Sequence, residues 1–342
     1  MRKLLTISLV ISLLLCGCVT LAQNPTRKQY SATFLELFDT VTTVVGQAES
    51  KESFEKVAYA IRDELQVYHQ LFDIYQDYQG INNLKTVNDQ AGIAPVQVDG
   101  RIIQLLLDCK EYYTLTDGRV NVAMGSVLKL WHEAREEGIN NPENAALPLE
   151  DALLAAAEHT DINKLIIDEA ASTVYISDPH MQLDVGAVAK GWATQKVAEN
   201  APEGLLLSVG GNVCATGPKD EKGTPWVVGI QNPDGGENYL HTLAITGGCV
   251  VTSGDYQRAY VVDGKTYHHI IDPDTRYPSA YWRSVTVVCG DSGLADALST
   301  ALFLLPQEAG QRLLDQCSAE AMWVDAAGNR SYSPGFLVLI RN

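Results

Sequence analysis

Basic residues are scarce in this sequence of 342 residues. It has 25 Lys and Arg against 42 Asp and Glu, which gives a formal net charge of −17. No run of Lys or Arg forms a basic patch, so the sequence excludes a nucleic-acid binder that relies on phosphate contacts. The acidic excess also means that a polyanionic ligand such as a nucleotide would need local help from a metal ion or from backbone N–H groups.

Charged residues of both signs are also few, at 20%, while hydrophobic residues make up 46%. This composition excludes a disordered chain, because enough apolar surface is present to form a core. The length fits one large domain or two ordinary ones. No internal repeat is present, and no linker divides the chain cleanly, so we expect a single catalytic or binding unit.

Long apolar runs are absent after the N-terminus. A basic start, Met1–Lys3, precedes a mostly apolar stretch over residues 4–15, which is too short to span a bilayer. It ends in Leu15-Cys16-Gly17-Cys18, which resembles a bacterial lipobox and predicts a signal peptide over residues 1–17 with lipidation of Cys18. We therefore expect an extracytoplasmic protein held to a bacterial membrane by its lipid alone, with a polar tether over residues 18–32. The alternative is an ordinary secretory signal cut near Ala22.

Closely spaced cysteines are also absent from the body of the chain. Five of the seven cysteines lie beyond the signal region, and no CxxC pair occurs. Their wide spacing indicates neither a zinc site nor a disulfide framework, so we interpret them as buried small apolar residues. These five are Cys109, Cys214, Cys249, Cys289 and Cys317.

Hydrophobic periodicity predicts a mixed α/β fold. Helical spacing dominates the first half, and short β-branched runs bounded by Gly, Asp or Asn dominate the second. The predicted helices cover residues 51–74, 101–116, 122–138, 149–158, 187–199, 294–305 and 307–316. The predicted strands cover residues 41–45, 165–167, 174–176, 205–208, 227–230, 250–252, 259–262, 284–288 and 322–324. Asp263–Gly264 predicts a hairpin turn, and this layout is not a strict βαβ alternation.

Two segments rich in small residues permit a ligand to approach the backbone. In residues 184–193 a predicted strand ends at Leu183–Asp184 and leads through Gly and Ala into a helix that carries Lys190. Small side chains, a helix N-terminus and a lysine together favour an anion. A second predicted strand runs into Gly210–Gly211–Asn212. In both places a plain tight turn remains the alternative.

Two further segments carry polar groups suited to catalysis. Paired strands could bring Arg258 near His269, whose imidazole suits general-base chemistry. Neighbouring residues of a strand point to opposite faces, so His268 and His269 should not both face one pocket, and one of them should be structural or on the surface. Asp296 and Thr300 lie four apart on a predicted helix and share a face, where their oxygens suit a hard cation such as Mg²⁺. The alternative for this pair is a helix-start carboxylate and a hydroxyl bonded back to the helix.

In this order, the segments resemble those of the ApbE family, the FAD:protein FMN transferases of bacteria. The resemblance runs from about Phe38 to Ala319 and rests on several motifs in register. Besides the four segments, these are Phe38-Asp-Thr, Tyr75 with residues 84–88, Asp117-Gly-Arg-Val-Asn-Val-Ala-Met-Gly with Leu130-Trp131, and Pro225-Trp-Val-Val-Gly-Ile-Gln-Asn-Pro.

The resemblance implies a fold, a reaction and a set of site residues. The fold would be a T-fold-like α/β core over residues 33–342, with two subdomains around an FAD cleft. The reaction would join FMN from FAD to a Thr or Ser hydroxyl of an acceptor redox protein through a phosphoester, with Mg²⁺ as cofactor and AMP released. The metal ligands would be Asp296, Thr300 and the backbone carbonyl of Ala187, and His269 would accept the hydroxyl proton. The FAD contacts would be Phe38, Tyr75, Arg119, Val120, Asn121, Lys190, Ala193, Gly210, Gly211, Ser253, Gly254, Asp255, Arg258, His269 and Ile270.

Three positions depart from the family pattern. Phe38 stands where Met is common, Asn121 where Asp is common, and Arg276 where Gly usually follows Asp-Pro-x-Thr. None of these departures removes a proposed metal ligand or His269, so we expect an active enzyme. Two other activities remain open, an FAD pyrophosphatase that yields FMN and AMP, and a lipid-anchored FAD-binding protein without catalysis. The chain has no clear acceptor motif of its own, so we do not expect self-modification.

Overall fold

A computed structural model describes residues 27–236 and 238–341. The predicted signal peptide, Cys18 and most of the tether therefore lie outside the described residues. The α-helices are α1 Lys51–Phe72, α2 Leu84–Asp89, α3 Gly100–Leu115, α4 Gly125–Asn140, α5 Glu150–Ala157, α6 Ala189–Asn200, α7 Ser292–Phe303 and α8 Gln307–Leu314. None of these helices combines the length and the apolar character needed to cross a membrane.

The strands are short and most of them pair in hairpins. They are β1 Lys28–Leu37, β2 Thr40–Ala48, β3 Val96–Gln97, β4 Leu165–Asp168, β5 Thr173–Ile176, β6 Leu205–Val209, β7 Asn212–Ala215, β8 Trp226–Ile230, β9 His241–Ile245, β10 Gly248–Gly254, β11 Tyr260–Val262, β12 Lys265–Tyr267, β13 Ser284–Cys289, β14 Ala319–Val324 and β15 Arg330–Tyr332.

An antiparallel sheet of eight strands forms the centre, in the order β1-β2-β6-β7-β10-β13-β14-β15. The smaller sheets have the strand orders β3-β5-β4, β8-β9 and β11-β12. The Asp263–Gly264 turn joins β11 to β12, which confirms the hairpin prediction. The mixed α/β prediction is likewise confirmed, and the predicted helices and strands correspond to elements of the fold with small changes at their ends.

Three apolar clusters form the interior. The largest includes buried side chains of α1, α3, α6 and α7 together with residues of the central sheet, while the second joins the β8–β9 hairpin to the other side of that sheet. The third joins α4 and α5 to the β11–β12 hairpin. A cleft is lined by residues that belong to the first and the third of these clusters.

Helix starts are set by local polar caps. Ser50 and Ser53 form a reciprocal capping box at α1, with the Ser53 N–H donating to Ser50 Oγ at 3.1 Å and the Ser50 N–H to Ser53 Oγ at 3.3 Å. At α7 the Asp291 side chain accepts from the Leu294 N–H at 2.8 Å. Such caps satisfy N–H groups that have no partner inside the helix, so they fix where α7 begins and hence where Asp296 lies.

Two predictions about chain segments need correction, and several short elements were not predicted. The tether does not extend to residue 32, because residues 28–32 belong to β1 and pair with β2. This edge strand carries exposed apolar residues such as Leu35, and its weak burial pattern explains why periodicity missed it. No strand ends at Leu183–Asp184, since the chain there is irregular and is held by an Asp184 N–H to Val122 carbonyl bond of 2.8 Å. The short elements β3, β7, β9, β12, β15 and α2 were also missed.

Candidate functional site

The cleft collects most of the site residues that the sequence predicted. Its walls come from the ends of β2, β7 and β10, the start of α6, the middle of α7 and the segments before α4 and after β12. The predicted residues that line it are Tyr75, Arg119, Val120, Asn121, Ala187, Lys190, Gly210, Ser253, Gly254, Arg258, His269, Ile270, Asp296 and Thr300.

Four predicted residues do not line the cleft. The Phe38 ring packs edge-on against His69, with centroids 5.6 Å apart, and Ala193 is fully buried in the main core. Asp255 turns away to Arg283, whose Nε donates to Asp255 Oδ2 at 3.4 Å. Gly210 and Gly211 form the two-residue turn between β6 and β7 with φ of +56° and +94°, which fits glycine at both positions. The turn reading is therefore right for Gly211, while Gly210 also faces the cleft.

Helices α6 and α7 meet at Gly191. Its backbone N–H donates to Asp296 Oδ2 at 2.8 Å, and a Cβ at this position would collide with the Ser292 carbonyl and with Asp296 Cβ. Only glycine lets the two helices approach this closely. In a regular helix the Gly191 N–H would donate to the carbonyl of Ala187, four residues earlier. Its use by Asp296 leaves that carbonyl without a hydrogen-bond donor among the described residues.

Three oxygen atoms of the cleft are thereby free to bind a cation. Besides the Ala187 carbonyl, neither Asp296 Oδ1 nor Thr300 Oγ1 has a hydrogen-bond partner in residues 27–236 and 238–341. The Ser299 hydroxyl, and not that of Thr300, bonds back to the Asp296 carbonyl, at 3.0 Å. One carboxylate with neutral oxygens fits a hard cation such as Mg²⁺ that keeps water and phosphate ligands. The described residues contain no cluster of three or more His, Cys, Asp or Glu that could hold a metal.

The charge in the cleft differs from that of the whole chain. The basic side chains of Arg119, Arg135, Lys190 and Arg258 line it together with the carboxylates of Asp39, Asp184 and Asp296. These basic and acidic side chains nearly balance, and Arg119 is moreover paired with Asp272 and Asp274, at 3.3 and 2.7 Å. Burial raises the pKa of Asp296, and Lys190, with Nζ 3.9 Å from Oδ2, opposes that rise. A ligand with several negative charges would therefore still need a cation beside it.

His269 is a neutral imidazole with one free nitrogen. Its Nδ1 lies 3.1 Å from the carbonyl oxygen of Gln257, which can only accept, so Nδ1 carries the hydrogen and Nε2 is left as an acceptor. Burial lowers the pKa of His269 to about 3, and Arg258 and Lys190 add to this effect. His269 is only partly buried, yet this low pKa means that the ring is uncharged at neutral pH.

Of the two neighbouring histidines, His268 has the structural role. Its Nε2 donates to the Ser279 carbonyl at 2.8 Å, and its Nδ1 accepts from the Ile270 N–H at 3.2 Å. With both ring nitrogens engaged and the side chain buried, His268 holds the segment after β12 in place. It thereby supports the position of its neighbour His269.

Asn121 and Asn212 use their amides in opposite ways. Asn121 Oδ1 caps the 3-10 turn Val122–Met124 by accepting from the Ala123 N–H at 2.9 Å, and its Nδ2 donates to the Thr160 carbonyl at 2.9 Å. Asn212 is buried, and its Nδ2 has no partner with hydrogen-bond geometry among the described residues, although it lies close enough to Asp296 to help lower the pKa of that carboxyl. Asn212 therefore offers the cleft a free N–H donor.

Several residues of the cleft were missed by sequence reasoning. Asp39 and Thr40 reach it from the β1–β2 turn, and His132 and Arg135 reach it from α4. The ring of Tyr75 packs at a tilt against that of His132, with centroids 5.3 Å apart and 31° between the ring planes, and burial raises the pKa of Tyr75 to about 12. His132 and Arg135 lie three apart on one helix face, which was the only signal that could have revealed them.

The cleft combines oxygen donors, basic side chains, a free amide and a neutral imidazole. Sites for phosphoryl transfer use groups of these kinds. The chain belongs to the ApbE family, whose sequence profile matches residues 38–323.

Two curated relatives, both named FAD:protein FMN transferase, support this assignment. The one from Klebsiella pneumoniae is 34% identical over 257 residues, which are 72% of this chain and 77% of the relative. The one from Treponema pallidum is 32% identical over 323 residues, which are 89% and 86%. The crystal structure of the ApbE protein from Thermotoga maritima superposes with a TM-score of 0.81 and 28% identity, covering 92% of this chain and all of the other.

Proposed function

We propose that the protein transfers FMN from FAD to a Thr or Ser hydroxyl of an acceptor protein, forms a phosphoester and releases AMP. Flavin transfer from FAD to proteins is what the names of both curated relatives state. The observation that carries the proposal is the neutral imidazole of His269 in the same cleft as the free oxygens of Asp296, Thr300 and Ala187.

In the proposed reaction the hydroxyl oxygen of the acceptor bonds to the flavin-side phosphorus, and the bond from that phosphorus to the AMP oxygen breaks. His269 Nε2 accepts the hydroxyl proton, while the Gln257 carbonyl holds the ring in the required tautomer. Lys190, Arg258 and the Asn212 amide offer cations and an N–H donor to the phosphates.

Asp296, Thr300 and the Ala187 carbonyl would hold Mg²⁺. When bound, the ion would offset negative charge on the pyrophosphate. A need for such a cation fits the acidic character of the chain, because the carboxylates of the cleft nearly balance its basic side chains. We expect the half-exposed Tyr75, which packs against His132, to offer an aromatic face to a ring of FAD.

The proposed setting is extracytoplasmic, with the mature chain anchored through a lipid on Cys18 and an acceptor redox protein as partner. The lipobox-like residues 15–18 support the anchor. Globomycin treatment of expressing cells, followed by mass spectrometry of the N-terminal peptide, tests it. Accumulation of the uncut precursor is expected, and cleavage near Ala22 would contradict the anchor.

The activity is tested with purified protein, FAD, Mg²⁺ and a target domain that carries the family's acceptor motif. We expect a fluorescent flavin adduct of the target on a denaturing gel, and its loss on chelation. A His269→Gln variant should still bind FAD but give no adduct. If no adduct forms with a target that a known family member modifies, the transferase proposal is wrong.

Two controls separate the other activities. FAD incubated with enzyme and Mg²⁺ but without target should release little AMP, and rapid catalytic release would indicate a pyrophosphatase in which water replaces the hydroxyl. FAD binding that survives chelation, with no turnover and no effect of His269→Gln, would indicate a binding protein.

A further inference from the structure

Two of the five cysteines in the body of the chain face each other in the central sheet. Cys214 of β7 and Cys249 of β10 are directly opposite in the antiparallel register. Both are buried, and the hydrogen-bond geometry places their Sγ atoms in direct contact, 2.6 Å apart. Opposite residues of an antiparallel pair have Cβ atoms about 4.5–5.5 Å apart, and a disulfide needs roughly 3.5–4.5 Å, so a small adjustment suffices.

We propose that Cys214 and Cys249 form a cross-strand disulfide when the chain folds in an oxidising environment. The S–S bond replaces two S–H bonds, and the two electrons and two protons pass to a disulfide oxidant, which becomes two thiols. The sequence interpretation as buried small apolar residues holds for four of the five, and the proposal adds a covalent role for two of these four. A separation of 35 residues along the chain gave no indication of the pairing.

Cys289 is the competing partner. It lies opposite Cys249 on the other side, in β13, so the three cysteines occupy neighbouring positions across three strands. Cys249 can bond to only one of them. Its sulfur contacts that of Cys214, whereas no hydrogen bond joins the sulfurs of Cys249 and Cys289 in the described part of the chain. The geometry therefore favours the bond between β7 and β10.

The position of the pair gives the bond a consequence for the cleft. Strand β7 begins with Asn212, two residues from Cys214, and β10 carries Thr252 and Ser253 shortly after Cys249. All three line the cleft, so a covalent link between these strands would fix its floor. Contact with Cys214 and burial raise the pKa of Cys249, which makes the reactive thiolate rare once the sheet is packed. Oxidation should consequently occur during folding and be slow in the folded, reduced protein.

The test uses the full chain, refolded from denaturant with either glutathione disulfide or excess dithiothreitol. Each sample is denatured, alkylated and digested with trypsin, and mass spectrometry follows the peptides 197–219 and 223–258, which contain Cys214 and Cys249. We expect these two peptides to be joined after oxidising refolding and to separate after reduction. Alkylation of both cysteines in the oxidised sample, or a link from Cys249 to Cys289, would overturn the proposal.

Variants supply a matched control. Cys289→Ala removes the neighbouring thiol and should leave the joined peptides intact, whereas Cys214→Ala should abolish them. The melting temperature of the oxidised wild type and of the Cys289→Ala variant should fall on reduction, while that of a Cys214→Ala, Cys249→Ala double variant should not change. If the double variant does not fold, the peptide mapping of the wild type still decides the matter.

Discussion

The Gly191 N–H donates to Asp296 Oδ2 at 2.8 Å across the contact between α6 and α7. This single bond orients the carboxylate of the proposed metal site and withdraws the N–H from the Ala187 carbonyl. The bond thus joins the start of α6 to the middle of α7 at the point where the cation would bind. Glycine is required there because any Cβ would meet Asp296 and the Ser292 carbonyl.

Gly191→Ala should lower both stability and metal affinity. Overpacking of a close helix contact costs about 1–3 kcal/mol, and the displaced carboxylate would bind Mg²⁺ more weakly. Urea unfolding measures the first effect, and the Mg²⁺ concentration needed for half-maximal flavin transfer measures the second. Gly100→Ala is the matched control, because nothing lies within 4 Å of a Cβ at this helical glycine. Equal effects of the two substitutions would contradict the proposed contact.

The depressed pKa of His269 leads to an expectation for acid stability. Its pKa is about 3 in the folded protein against an ordinary value of 6.5, so the unfolded chain binds the proton first as the pH falls. The contribution of the neutral imidazole is full above about pH 6.5 and is lost progressively between pH 6.5 and 3. A His269→Gln variant should therefore lose less stability than the wild type between pH 7 and 4. If the unfolding free energies of the variant and the wild type fall in parallel over that range, the lowered pKa of His269 is contradicted.

Catalysis gives a second readout of the same group. Arg258 and Lys190 help to lower the pKa of His269, and the phosphates of bound FAD would neutralise them. The acid limb of kcat/KM, which reports the free enzyme, should therefore lie at lower pH than the acid limb of kcat, which reports the complex. Rate measurements with varied FAD concentration from pH 3 to 8 check this order, because the limb of the free enzyme is expected near pH 3. The opposite order would exclude Arg258 and Lys190 as a cause of the lowered pKa of His269.

Asn121→Asp should destabilise the protein, although Asp is the commoner residue in the family resemblance. Aspartate would keep the cap to the Ala123 N–H but would set a carboxylate oxygen against the Thr160 carbonyl, to which the Asn121 amide now donates. Replacing a hydrogen bond by two facing acceptors costs about 1–3 kcal/mol. Chemical denaturation tests this, with the exposed Asn82→Asp as control, because the Asn82 amide also donates to a carbonyl, that of Gln97, but water can replace it. Similar losses in both variants would contradict the argument.

The features that the sequence predicted are those that depend on neighbouring residues of the chain, and the features it missed depend on tertiary packing. Asp296 and Thr300 were found because four-residue spacing on a helix is a local property, and the family resemblance supplied Ala187 and His269. His132 and Arg135 reach the cleft through the packing of α4, and Asp39 and Thr40 through a turn whose strands were only partly predicted. The contact between Cys214 and Cys249 depends on strand register, which residue spacing does not encode.

Arg276 holds a backbone conformation that usually belongs to glycine, with φ of +64°. Its N–H donates to the Asp272 carbonyl at 2.7 Å, and its carbonyl accepts from Trp131 Nε1 at 2.8 Å, so the turn is fixed from both sides. A non-glycine residue in this region costs about 1 kcal/mol. Arg276→Ala and Arg276→Gly lose the same side chain, including its bond to the Asp274 carbonyl, and only the glycine variant relieves the backbone strain. We expect Arg276→Gly to be the more stable of the two by up to about 0.5 kcal/mol in urea unfolding, because the greater chain entropy of unfolded glycine offsets at least half of the gain. If the alanine variant is equally stable, the turn has relaxed, and the loss of glycine at this position has no conformational cost.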